Sequence, residues 1–163
     1  MLRKKKIILA THCILNQNAV IRDWERAEGA FNSIVRILLD YNVGIIQLPC
    51  PEFTYLGEGR PPKTKEEYDK ESYHLHCKQL SIPIVKELGE YIKKDYHILG
   101  LIGIQGSPSC DILGKRGIFI EELLELLQRE NIDLKAFEIP ESYIEGQSDQ
   151  VVDDFKQFIN KAY

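Results

Sequence analysis

A chain of 163 residues with 44% hydrophobic and 28% charged residues has the size and composition of one ordinary globular domain. Its 25 acidic against 21 basic residues give a net charge of −4, which argues against a nucleic-acid partner recognised through clustered basic charge. The run Ile7 to Ala10 is too short for a signal-peptide core, and no apolar run approaches the ~20 residues that span a bilayer, so a cytoplasmic protein without a membrane partner is expected.

In chain order, the basic run Arg3 to Lys6 reads as a solvated flank of a first buried strand, Lys5 to Thr11. Cys13 to Glu28 is longer than an ordinary strand-to-helix loop. Phe31, Ile34, Val35 and Leu38 then mark a helix, and Val43 to Leu48 a second strand. Pro51 to Thr64 is the second overlong segment. Lys65 to Lys94 is helical in pattern, and Pro83 in its middle predicts a break into two helices. A third strand covers Ile98 to Ile104, followed by a helix marked by Phe119, Leu123, Leu126 and Leu127. A fourth strand, Leu134 to Ile139, ends at Pro140, and Val151, Val152, Phe155, Phe158 and Ile159 mark a closing helix.

The strands are short, rich in Ile, Leu and Val, and lack polar alternation, as strands covered on both faces should. The order predicts a single three-layer α/β domain over residues 1–163. Its parallel, flavodoxin-like sheet would have about four strands in the order 2-1-3-4, with helices on both faces. Both overlong segments leave the C-terminal end of a strand, where open α/β sheets bind ligands.

That strand order brings Cys13, Cys50 and Cys110 to one crevice, since each follows one of three adjacent strands. In a reducing compartment free cysteines serve as buried small hydrophobes, metal ligands or catalysts rather than disulfides. Three at one sheet edge favour a joint role. Cys77 shares the helical stripe Tyr73, Cys77, Leu80, Ile84 and Leu88 and reads as core, with His74 and His76 as surface residues. Zinc prefers four ligands, commonly as C-x-x-C pairs, which this chain lacks, and His12 should point away from Cys13 in an extended segment. All-thiolate ligation suits an iron–sulfur cluster, and three ligands would leave one iron open as a Lewis acid.

Glu52 follows Cys50 in a proline-stiffened Pro49-Cys50-Pro51-Glu52 and is a candidate general acid or base, or else a solvated carboxylate. Gly106-Ser107-Pro108-Ser109-Cys110 is a hydroxyl-rich turn that could cradle an anion, a cluster sulfide or a polar substrate edge. Together, His12-Cys13-Ile14-Leu15, Cys50-Pro51-Glu52 and Gly106-Ser107-Pro108-Ser109-Cys110 resemble the thiouracil desulfurase-related desulfidase family over roughly residues 5 to 130.

The resemblance implies a [4Fe-4S] cluster held by Cys13, Cys50 and Cys110, whose fourth iron takes the sulfur of a thiolated small molecule that water then displaces without net redox change. It implies Glu52 as the proton carrier, with Ser107 or Ser109 orienting substrate or water. Residues 16–22 and 53–59 depart from the thiouracil enzymes, so the ligands and the acid are kept while the substrate walls differ. Two rival readings stand beside this one. Cys110 and Arg116 satisfy the C-x-x-x-x-x-R spacing of a cysteine phosphatase, though Gly117 replaces the usual Ser or Thr and Asp111 puts negative charge in the loop. The same three thiolates could instead belong to a non-catalytic metal- or sulfur-binding module.

Overall fold

The structure, a computed structural model, describes residues 1–163. Four strands form a wholly parallel sheet: β1 (Lys6–Ala10), β2 (Gly44–Gln47), β3 (His97–Ile104) and β4 (Ala136–Ile139). Their order is β2-β1-β3-β4, the flavodoxin-like order expected from right-handed crossovers. Register is set by pairs such as Leu9 with Ile46 and Ala10 with Ile102, and β3 carries an irregularity opposite Ile7 to Leu9. The central strands are the buried ones, with Ile8, Leu9, Ala10, Leu101 and Ile102 all out of solvent. Edge strand β2 is only half covered, and its run of apolar residues is correspondingly short.

Helices cover both faces and create two cores. On one face α2 (Asn32–Asp40) and α7 (Asp149–Ala162) bury Ile34, Leu38, Phe155 and Ile159 against Ile8 and Ile102. On the other, α5 (Glu71–Ile92) and α6 (Ile118–Arg129) bury Ile84, Leu88, Leu123 and Leu127 against Leu9 and Leu101. No helix is long and apolar enough to cross a membrane.

Pro83 does not divide Lys65 to Lys94 into two helices. Helix α5 runs unbroken through it, and the interruption lies earlier, at Asp69 and Lys70, after the single turn α4 (Lys65–Tyr68). Pro83 sits on the exposed side of α5, where the carbonyl it leaves unpaired can be met by water, while Ser81 and Ile84 hold the buried side against the core. Packing of α5 on α6 overrides the local penalty. The break at Asp69 is reinforced by the capping box of Thr64 and Glu67, which starts α4 as a separate element.

His74 ties these helices together. Its Nδ1 lies 2.8 Å from Glu122 of α6 and its Nε2 2.7 Å from Asp69. Partial burial opposes the charged imidazole, but the two carboxylate hydrogen bonds outweigh it and raise the His74 pKa. A raised folded-state pKa contributes stability that is fully present below the unfolded value of about 6.5 and is lost as pH rises through the folded value. Urea unfolding of wild type and His74→Gln across pH 5 to 9 is therefore expected to differ most at the acid end and to converge at the alkaline end; a constant difference would remove the charge from the account.

Candidate functional site

A cavity of about 400 Å³ opens at the C-terminal ends of the strands, and Cys13, Cys50 and Cys110 are all in its wall. Cys77 lies elsewhere, fully buried in the core that α5 and α6 share. None of the four thiols is in a disulfide.

Each cysteine is placed by a different local device. After β1 the chain makes one helical turn, α1 (His12–Leu15), and then a 3₁₀ turn over Gln17–Ala19. The first overlong segment is thus partly ordered, and buried Gln17 closes it. Its backbone N–H donates to Gly29 O at 2.6 Å, its Nε2 to Cys13 O at 2.8 Å, and its Oε1 accepts from Arg26 N at 2.8 Å. His12 turns away from the cavity, with Nδ1 at 3.1 Å from Leu48 O, within a helical turn rather than an extended segment.

Cys50 is the N-cap of α3 (Pro51–Leu56), the ordered start of the second overlong segment. Its sulfur accepts from Phe53 N at 3.4 Å, and Pro51 occupies the first turn, where a missing N–H costs nothing. Cys110 sits on the turn after β3, which buried Asp111 knits together by accepting from Gly106 N and Gly114 N, both at 2.8 Å. Ser107 Oγ accepts from Cys110 N at 3.0 Å. Two glycines are sterically required here. A Cβ on Gly117 would stand 2.1 Å from the Ser109 carbonyl carbon, and one on Gly106, whose φ is +80°, would meet Glu141 Oε1 at 1.7 Å.

Burial pushes the Cys13 thiol up to about 12, with the neighbouring Cys50 adding to it, and raises Cys110 well above its ordinary value, with Cys13 and Cys50 next in effect. Cys50 is raised by burial and partly relieved by the Phe53 N–H. Cys13, Cys50 and Cys110 share the wall of one cavity, and their burial there disfavours each thiolate. Arg26 favours the Cys13 thiolate, and Arg60 that of Cys50. Thr11 Oγ1 is buried without a partner in the thiol state and is one of the groups that would stabilise a Cys13 thiolate.

Glu52 lies in the same wall, with its side chain 9% exposed and that of its ion-pair partner Arg60 4% exposed. Its Oε2 accepts from Ser109 Oγ at 2.8 Å, and its Oε1 from Tyr68 OH and Arg60 Nε, both at 3.3 Å. Tyr73 OH lies 2.6 Å from Ser109 Oγ. Since the single Ser109 proton is given to Glu52, Tyr73 must be the donor of that bond. Arg60 also donates to Ala19 O at 2.9 Å and so joins the two long loops. Glu52 is therefore not a solvated surface carboxylate.

All six residues singled out from the sequence, Glu52, Ser107, Ser109 and the three cysteines, line this cavity. Arg60, Tyr68, Tyr73, Gln17 and Arg26 escaped sequence reasoning. Arg26 and Arg60 lie in the two overlong loops, and Tyr73 was visible only as a member of the Cys77 stripe. Arg116 is exposed, folds back to donate to Ile112 O, and is not in the cavity wall, while Asp111 already takes the Gly114 N–H of the loop that would wrap a phosphate.

No group of three His, Cys, Asp or Glu side chains is arranged to hold a single metal ion. The three cysteines instead share a cavity wall, one from the end of each of three adjacent strands. The other charged side chains in the wall are two arginines and two carboxylates, Arg26, Arg60, Glu52 and Glu141. As a soft all-sulfur donor set, the three cysteines fit an iron–sulfur cluster.

Fold and site thus define a parallel α/β protein with a three-cysteine cavity at the carboxyl edge of its sheet. The chain is 52% identical over 141 residues to a protein of Methanocaldococcus jannaschii named Uncharacterized protein MJ0003, covering 86% of this chain and 90% of that one, and it belongs to the same family. No protein-family model and no solved structure matches it.

Proposed function

We propose that the protein is a [4Fe-4S]-dependent desulfidase that removes sulfur from a thiocarbonyl or other thiolated small molecule by hydrolysis. The observation that carries this reading is the opening of three cysteines and the buried Glu52–Ser109 pair onto one cavity. A cytoplasmic setting would keep the thiols reduced for ligation. When bound, such a cluster supplies a Lewis-acidic iron with affinity for sulfur.

The chain's own groups supply the rest. Water adds to the carbon that bears the sulfur and must lose a proton; Glu52 Oε2 is the acceptor within the wall and returns that proton to the departing sulfur, which takes its second proton from the new hydroxyl as C=O forms, so that C=S and H₂O become C=O and H₂S with no electron transferred. Ser109, held from behind by Tyr73, fixes the orientation of the carboxylate, and Arg60 fixes it from the other side. The Ser107 hydroxyl, which accepts two backbone N–H groups, keeps its proton free to orient substrate or water. Val20, Ile21 and Trp24 give the mouth an apolar wall that limits bulk water.

Iron-loaded protein incubated anaerobically with a panel of thioamides and thiolated bases is expected to release sulfide and the oxo product in equal amounts without an added oxidant or reductant. Stoichiometric iron with no sulfide released from any member would favour the carrier module. The position of Arg116 outside the wall argues against the phosphatase reading.

A further inference from the structure

Arg26 and Arg60 both line the three-cysteine cavity, one from each long loop, but their charges are differently committed. Arg60 is paired with the Glu52 carboxylate. The Arg26 guanidinium donates through Nη1 to two main-chain carbonyls, Pro140 O at 2.7 Å and Glu141 O at 3.1 Å, and to no carboxylate. The Glu141 side chain lies instead against Gly106. Arg26 is thus held by the loop after β4, with its centre 5.7 Å from the ring of buried Phe31 and no carboxylate hydrogen-bonded to it.

The backbone of Arg26 is equally engaged. Its N–H donates to Gln17 Oε1, the residue whose Nε2 grips the Cys13 carbonyl, and its carbonyl accepts from Glu145 N at 2.9 Å. One residue therefore fastens the Cys13 loop to the β4 loop and sets a fixed positive charge on the Cys13 side of the cavity. Partial burial works against that charge, and nearby Cys13 and Glu141 work for it. A half-buried arginine held by main-chain carbonyls rather than by a carboxylate keeps its charge available to an anionic group beside it.

We propose that Arg26 is a positioning residue for the cluster, bracing the Cys13 ligand loop and supplying the positive charge that offsets the three thiolates. The inference rests on the cluster reading above. An added electron is stabilised by a nearby fixed cation, so Arg26 raises the reduction potential of the cluster.

The test compares full-length wild type, Arg26→Gln and Arg26→Lys after anaerobic iron–sulfide reconstitution, with iron content, thermal melting and a redox titration followed by electron paramagnetic resonance. Arg26→Gln is expected to show a midpoint shifted to more negative potential, with Arg26→Lys close to wild type. A folded Arg26→Gln that holds no iron while Arg26→Lys loads fully would support the same charge requirement. An unshifted midpoint in Arg26→Gln, or a Lys variant that behaves like the Gln variant in potential or loading, would overturn the role of the charge. Wild-type protein that takes up no iron would overturn the cluster reading itself, and this inference with it.

Discussion

Anaerobic reconstitution of the wild-type chain is expected to give a brown protein with about four irons per chain. Cys13→Ala, Cys50→Ala or Cys110→Ala should each abolish stable loading, whereas Cys77→Ala should retain it. The contrast follows from placement. Three of the thiols line one cavity from the ends of three adjacent strands, while Cys77 has no exposure at all and lies in the buried cluster that also holds Leu88 and Leu123. Cys77→Ala is a core truncation and should reduce thermal stability without touching iron content. Stoichiometric zinc uptake with no iron uptake would leave the desulfidase proposal without its basis.

Glu52→Gln is expected to keep its iron and to lower turnover by roughly 10²-fold or more, the usual range for loss of an acid–base group. The replacement retains size, yet it cannot satisfy the same surroundings. Ser109, Tyr68 and Arg60 all donate to the carboxylate, and an amide nitrogen placed on either side meets a donor. Arg60 is also left as an unpaired buried cation, so a stability loss of about 3 kcal/mol should accompany the kinetic one. Circular dichroism melting and iron analysis separate the two effects. Normal turnover by a folded, iron-loaded Glu52→Gln protein would remove Glu52 from the chemistry.

The strand order and the convergence of Cys13, Cys50 and Cys110 were legible because they depend on few choices. Short apolar segments separated by helices leave a parallel sheet as the simple solution, and crossover handedness then orders the strands. Once the strands are ordered, a residue immediately after each is placed at one edge. The Glu52 environment was not legible. Spacing put a carboxylate two residues from a cysteine, but whether it faced water or a buried arginine depended on how residues 57–60 fold back. Pro83 was misleading for the same kind of reason, since the cost of a helix-interior proline depends on which face of α5 it occupies.

By itself the sequence determined the α/β class, the parallel order and which thiols share an edge, because hydrophobic periodicity and chain connectivity are one-dimensional properties. Tertiary structure alone decided that Tyr73 and Ser109 stand in line behind Glu52, and that Arg60 pairs with that carboxylate while Arg26 does not. Those relations join residues from four separate segments, brought together only when two helical layers close on the sheet. Burial then gives each hydrogen bond and each unpaired charge its weight, and burial is a property of the packed molecule rather than of any stretch of its chain.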